Sequence, residues 1–431
     1  MSEAHATRPF SLTAYRLLSR ALAPLTGPAL LWRAQQGKEN ASRLGERFGR
    51  AARARPDGVV IWLHGASVGE TRVLLQVQAG LAKRYPEAFF LFTSGTLTSA
   101  ELLDAQKNPR IMHQFTPIDR IDVVRRFLRH WRPQLAVFAE SEIWPNLIVE
   151  THAQSIPLAL INARMSVKTL ENWRRAPDMA RALMQRFSAI LTADQRTLAG
   201  LHVVLGEKPE FVGNLKLCSP PPLAPPGLLE TLRAHIADRP VWLAASTHQG
   251  EDEIVLSAHA RLMQDFPNAL LIIAPRHPER GASIAALAGG APRRSANDAI
   301  GTGPVFVADT IGEMGALYPL ASVAFIGGSL APHLRGHNPI EPAHMKTAIL
   351  SGPFVESFSE IFDDLVDCGG ALITRDADEI AGAVSSLWRH APTRERQIAQ
   401  AATIIARGDD AMRRTIAVLE TLMAQRVDAA A

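Results

Sequence analysis

From residue 58 onward, short apolar runs rich in β-branched and aromatic residues alternate with stretches of helical spacing, and the chain goes through this pattern twice. In the first half the runs are 59–63, 89–93, 135–138, 158–161 and 189–192, each nearly continuous in apolar residues, as strands buried on both faces require. Between them, 100–105, 119–131 and 175–187 place apolar residues at helical intervals. Such alternation predicts a parallel sheet covered by helices. A break follows at 219–227, where five prolines within seven residues forbid helix and strand ladders and favour an extended linker. The pattern restarts with runs at 241–245, 269–273, 305–307, 323–326, 348–350 and 371–374, and helical segments at about 376–390 and 393–425 close the sequence. A chain of 431 residues exceeds the size at which one core keeps growing. We therefore expect a basic segment at 1–56, a doubly wound α/β domain at 57–217, a Pro-rich linker at 218–228, and a second such domain with the closing helices at 229–431. Ligands of such domains bind at the carboxyl ends of the strands, so a cleft between two facing sheets is expected.

Composition is that of a folded protein, with 47% apolar and 20% charged residues, which excludes a disordered chain and a polytopic membrane protein. The two cysteines, Cys218 and Cys368, lack neighbours at ligand spacing, so neither a zinc site nor a disulfide framework is implied. Net charge is +4, unevenly spread: residues 1–56 hold ten Lys or Arg against three acids, a charge of +7, leaving about −3 for the rest. An apolar stretch at 21–32 lies inside this basic segment. It is shorter than the ~20 residues a membrane span needs and is interrupted by Pro24 and Pro28. Apolar residues flanked by arginines suit a segment lying in the headgroup region of an anionic membrane. A basic arm packed on the protein's own surface is the alternative.

Polar residues gather directly after the predicted strands. The run from His64 to Glu70 (HGASVGE) forms a tight turn that sets Glu70 at the start of a helix, where a carboxylate suits either base chemistry or the helix dipole. It lacks the spacing of a dinucleotide fingerprint or a P-loop. Hydroxyl residues crowd 93–99. The third strand runs into Glu140 and Glu142, which alternation would turn to the same side, each raising the other's proton affinity if shielded from water. Asn162 to Ser166 and Gly213 to Lys216 follow later strands, with Lys216 a potential anion contact. In the second half, 245–253 opens a helix whose free amides suit a phosphate, with capping by Ser246 or Thr247 the simpler reading. Arg276 and His277 sit at the next strand end, where a guanidinium can clamp a phosphate. Gly327 to Ser329 and His337 to Glu341 bracket a further strand end; Gly328 permits close backbone approach and Glu341 suits ribose hydroxyls.

Taken in order over nearly the whole chain, these motifs resemble the Kdo (3-deoxy-D-manno-oct-2-ulosonic acid) transferases of lipopolysaccharide synthesis. The resemblance implies GT-B architecture, with two facing Rossmann-like domains, CMP-Kdo as donor and a lipid A precursor as acceptor at the cytoplasmic face of the inner membrane. It implies Glu70 as the base that deprotonates the acceptor hydroxyl and Glu142 as a second essential acid. Arg276, Asn338 and Glu341 would hold CMP, with Ser246, His277 and Gly328 in the same donor site. Single displacement with inversion is the expected course, with no cofactor, no metal and no nucleic-acid partner. Lys216 and Arg164 are candidates for the Kdo carboxylate. The sequence departs from the family's usual pattern at 331–336 and 354–358. A sugar-nucleotide epimerase of the same architecture and a non-catalytic sugar-nucleotide-binding membrane protein are the competing classes; neither needs both the basic arm and a carboxylate at position 70.

Overall fold

The computed structural model describes residues 9–428, which divide into two compact units, 9–218 with 408–428, and 219–407. The first unit is built on β1 (Val60–His64), β2 (Phe89–Ser94), β3 (Ile111–Phe115), β4 (Leu135–Ala139), β5 (Leu158–Ala163), β6 (Ala189–Thr192) and β7 (Pro209–Phe211). These form one parallel sheet in the order β3-β2-β1-β4-β5-β6-β7. The second unit holds β8 (Val241–Thr247), β9 (Leu270–Pro275), β10 (Val305–Val307), β11 (Val323–Ile326), β12 (Ala348–Ser351) and β13 (Ala371–Ile373) in the parallel order β10-β9-β8-β11-β12-β13. In each sheet the chain winds outward one way and then the other. The order therefore reverses between β1 and β4 and between β8 and β11, the positions where open α/β sheets take ligands.

The central strands read as apolar runs because both faces are covered. Val60, Trp62, Ala136, Phe138, Leu158 and Leu160 pack into one layer, while Ile61, Leu63, Leu135, Val137, Ala159 and Ile161 fill the other. Two edge strands lie outside the runs named from sequence, β3 and β7. In β3 the apolar run is broken by His113 and Gln114, and tertiary partners satisfy both. Gln114 Oε1 accepts from the Trp131 indole at 2.7 Å, and the His113 ring meets Arg43 at 2.9 Å and the Ser94 hydroxyl at 2.9 Å. The expected helix at 175–187 is Pro177–Met184, separated from a preceding helix, Val167–Arg175, by a proline that lacks the N–H to continue a helix but suits a first turn.

The closing helices, expected with the second domain, divide. Ala377–Arg389 stays in the second unit, whereas the long helix Ala391–Asp428 enters the first at Gly408. There Ala411, Leu419, Leu422 and Met423 complete the layer over Ile61 and Leu63. Burial of this one face, rather than order along the chain, decides where the helix belongs.

The basic amino-terminal segment forms the helices Phe10–Ala21 and Ala23–Gln35, with Pro24 in a first turn and Pro28 inside. Residues 1–8 of the expected segment, with Arg8, lie outside the described residues. Among the described residues no helix is long and apolar enough to cross a membrane. The arginines do not all point outward. Arg16 pairs with Glu150, Arg33 and Arg47 with Glu39, and Arg43 with Glu46, and all three carboxylates are buried. These arginines turn inward because a carboxylate removed from water requires a paired cation. Tyr15 also donates to Asp119 at 2.8 Å, bolting the first helix to the body of the unit. The two helices leave large apolar residues exposed, Phe10, Leu17, Leu18, Leu22, Leu25, Leu31 and Trp32, alongside Arg20 and Arg33.

Candidate active site

After β1 the chain turns through Gly65, Ala66 and Ser67 into the helix Val68–Arg84. The Ser67 hydroxyl caps this helix by accepting from the Glu70 amide at 3.3 Å. Glu70 reaches back, one carboxylate oxygen accepting from the Ser67 hydroxyl at 2.7 Å and the other from the Ala66 amide at 2.6 Å. The arrangement is a capping box built around the acid. It requires glycine at 65, where a Cβ would come within 2.8 Å of the Glu70 Cβ. Burial pushes the Glu70 carboxyl above its ordinary 4.5. Hydrogen bonds from Ser67 and Ala66 pull the other way, and the charges of Glu142 and Glu140 add to the rise.

Glu140 and Glu142 do not share one face of an extended strand. β4 ends at Ala139, and Glu140 takes a left-handed backbone (φ 54°), which redirects the chain and breaks the alternation assumed from sequence. Glu140 meets the Lys216 ammonium at 2.7 Å. Glu142 accepts from the Trp144 indole at 2.7 Å and faces His64 Nε2 at 3.3 Å. Burial works to raise the Glu142 carboxyl, but His64 and Trp144 outweigh it and hold it below 4.5. Glu70 and Glu142 are thus driven apart in proton affinity, Glu70 upward and Glu142 downward, and Glu142 does not show the rise expected of it from Glu140. Environments that separate two carboxyls in this way assign a base and a permanent anion.

His64, Trp62 and Thr93 were missed as site residues. His64 stands in register with Thr93 across β1 and β2, and its Nδ1 lies 2.8 Å from the Thr93 hydroxyl, which also accepts from the Trp62 indole at 2.8 Å. The available signal was a histidine ending an otherwise apolar run, directly before the turn that carries Glu70. Asn162, also left-handed (φ 49°), sits at an irregularity of β5 and accepts from the Leu215 amide at 2.9 Å, which ties down the turn bearing Lys216. Lys216 therefore belongs to the first unit, beside Glu140, whereas the other residues expected to hold the donor belong to the second.

In the second unit, Ser246 takes a left-handed backbone (φ 59°) at an irregularity near the end of β8, ahead of the helix Glu251–Asp265. One amide of the turn before that helix, that of His248, meets an acid of the protein itself. Glu251 is buried and accepts from His248, Gly328, Ser329 and Leu330 amides at 2.7–3.0 Å, and Asp252 is clamped by Arg280. The positive end of a helix and a glycine turn together make an anion site, and Glu251 fills it. Gly328 makes room for a side chain: a Cβ there would lie 2.7 Å from the His337 ring. His337 stacks on His248 with ring centroids 5.0 Å apart and Nε2 atoms at 2.8 Å, and His277 meets His248 edge-on at 5.5 Å. Burial, then the neighbouring histidine and Arg276, lower His337 to about 4, so the pair is neutral near pH 7.

Arg276 is exposed, and its charge is felt at both His248 and His337. Asn338 accepts from the Ile340 amide at 3.0 Å, starting the helix Ile340–His344, and its amide lies 3.4 Å from Glu341. Ser246, Arg276, His277, Gly328, Asn338 and Glu341 thus surround the exits of β8, β9 and β11 in a single unit. Glu70 and Glu142 stand together at the exits of β1 and β4 in the other.

Residues 42–219 match the sequence profile of the 3-deoxy-D-manno-octulosonic-acid transferase (kdotransferase) family. The chain is 35% identical over 362 residues to a probable mitochondrial 3-deoxy-D-manno-octulosonic acid transferase of Arabidopsis thaliana, covering 80% of each. It is 33% identical over 401 residues to the 3-deoxy-D-manno-octulosonic acid transferase of Haemophilus influenzae, covering 89% of this chain and 92% of that one. The chain belongs to the Kdo transferase family. It is accordingly a glycosyltransferase. Among solved structures, a glycosyltransferase from Rickettsia africae superposes with a TM-score of 0.55 at 13% identity, over 85% of this chain and 99% of that one. HepE of Anabaena gives 0.51 at 13% identity, over 86% and 100%. Both extend over most of this Kdo transferase and share its GT-B arrangement of two parallel-sheet α/β domains.

Proposed function

We propose that this Kdo transferase moves Kdo from CMP-Kdo to a hydroxyl of a lipid A precursor by a single, inverting displacement in which Glu70 is the base. The observation that carries this reading is the divergence of the two carboxyls, with Glu70 held at raised proton affinity beside Glu142, which is held as an anion. A base of raised pKa captures a hydroxyl proton more readily, and the adjacent anion favours its protonated product. The acceptor oxygen forms a bond to the anomeric carbon as the bond to the CMP phosphate oxygen breaks. The hydroxyl proton passes to Glu70, and the electron pair leaves with CMP.

Arg276 is the cation we assign to the CMP phosphate, with Ser246, His277 and Gly328 shaping its surroundings and Asn338 and Glu341 binding the nucleoside. Lys216, supported by Glu140, and Arg164 are assigned to the Kdo carboxylate. Guanidinium and ammonium groups can neutralise the leaving phosphate and the sugar acid, so the reaction is expected to run without a metal ion. The exposed apolar row from Phe10 to Trp32 supports peripheral attachment to an anionic bilayer, which we place at the cytoplasmic face of the inner membrane.

The test is transfer from CMP-Kdo to a tetra-acylated lipid A precursor in detergent with EDTA present, comparing wild type with Glu70→Ala. Activity that survives EDTA and falls by about 10²-fold or more in the variant is expected. Full activity in the variant would remove Glu70 as base, and loss of wild-type activity with EDTA would overturn the metal-free reading.

A further inference from the structure

Behind Glu142 lies a line of buried polar groups in the otherwise apolar layer between β1, β2 and β4. Trp62, His64 and Thr93 are each at most 1% exposed, whereas the Glu142 side chain keeps 13% of its surface open. The indole N–H of Trp62 is a donor only, so the Thr93 oxygen must accept from it. The Thr93 hydroxyl hydrogen is then available to His64 Nδ1, 2.8 Å away, the direction that gives this hydrogen a partner. Nδ1 is then an acceptor, and the imidazole proton sits on Nε2, 3.3 Å from Glu142 Oε2. The opposite tautomer would set a bare nitrogen lone pair against a carboxylate in the interior, where an unpaired contact is costly. Phe138, edge-on to the ring at 4.7 Å, holds the imidazole in this plane.

We propose that Trp62, Thr93 and His64 form a buried donor chain that fixes the His64 tautomer and thereby holds Glu142 as an oriented anion beside the base. This rests on the assignment of Glu70 and Glu142 made above. His64 is a positioning residue, acting through Glu142 and touching no reacting atom. The groups that bear on Glu142 are His64 from β1, Trp144 from its own turn, Glu70 from the helix after β1, and, farther along the same turn, Glu140 with its Lys216 partner. Of these, Trp144 donates to it at 2.7 Å, and His64 Nε2 stands 3.3 Å from it. Trp144 is exposed, so His64 is the neighbour of Glu142 that is shielded from water.

Two measurements test the chain. Nitrogen-15 NMR of histidine-labelled wild-type protein, with His64 assigned by comparison with His64→Gln, should show a protonated Nε2 and an unprotonated Nδ1 between pH 7 and 8. A proton on Nδ1 would overturn the proposal whether or not the protein transfers Kdo, so its failure is separable from failure of the function. Thr93→Val removes the hydroxyl at constant shape. Its kcat for Kdo transfer should fall by about tenfold, and the acidic limb of its pH profile should move to lower pH, because Glu142 then takes a proton more readily and its charge raises Glu70 less. Thr93→Ser should restore both. A folded Thr93→Val protein with an unmoved limb would show a residue that only packs, and the proposal would fall.

Discussion

Glu70 caps its own helix, a role that many glutamates fill at surfaces without chemistry. What distinguishes it is the contest at its carboxyl, where burial and the Glu142 and Glu140 charges prevail over two hydrogen bonds that favour ionisation. Because the folded-state affinity is raised, Glu70 becomes a competent base only as pH rises through a value above the ordinary 4.5, and the acidic limb of kcat should fall there. Glu142→Gln deletes a charge that raises Glu70. The limb should therefore move to lower pH while kcat drops by about ten- to a hundredfold; a pH profile of transfer reads both. An unmoved limb would mean that the two carboxyls do not sense each other.

Strands and helices in the second unit are joined by a second buried histidine. His259, on the helix Glu251–Asp265, accepts from the Trp242 indole at 3.1 Å through Nδ1, and its Nε2 meets the Pro304 carbonyl at 2.9 Å. Nδ1 must stay bare to accept, and burial lowers the group to about 4. The folded affinity lies below the ordinary 6.5, so the unfolded chain binds more protons between these values. The stability is present above pH 6.5 and is lost as pH falls towards about 4, a contribution of about 3 kcal/mol. His259→Gln keeps the donor to Pro304 and removes the titration. Thermal unfolding followed from pH 7 to 4 should therefore show a shallower decline in the variant than in wild type, and equal slopes would count against the assignment.

At the scale of the molecule, the last helix gives the first unit Leu419, Leu422 and Met423, which are nearly or wholly buried. Ending the chain after Arg407 should destabilise that unit by roughly 5 kcal/mol, at about 1.5–3 kcal/mol per large apolar side chain before relaxation. Calorimetry should show the loss in the transition of the first unit, and an unchanged transition would mean the helix is dispensable there. The exposed apolar row makes a further expectation. Replacing Leu17, Leu18 and Trp32 together with serine should weaken sedimentation with vesicles containing anionic phospholipid by at least tenfold and leave transfer to a short-chain, detergent-dispersed acceptor largely intact. Undiminished binding would move the membrane contact elsewhere.

Strand positions, parallel pairing and the polar clusters at strand ends follow from the sequence itself, since a buried parallel strand must be continuously apolar and must turn polar where it leaves the sheet. Eleven of the strands lie in runs recognisable that way, and Glu70, Glu142 and Arg276 stand where those runs end. Periodicity reports only which face a residue buries. It could not tell that Glu140 turns left-handed away from Glu142, that Glu251 fills the anion site beside Gly328, or that Arg16 and Arg47 face inward. It also could not bring Trp62, Thr93, His64 and Glu142 into one line, nor return the last helix to the first unit. Each of these depends on a partner distant in the chain, and a hydrogen bond or ion pair between distant residues exists only once the fold has brought them within about 3 Å and excluded the water that would otherwise take the partner's place.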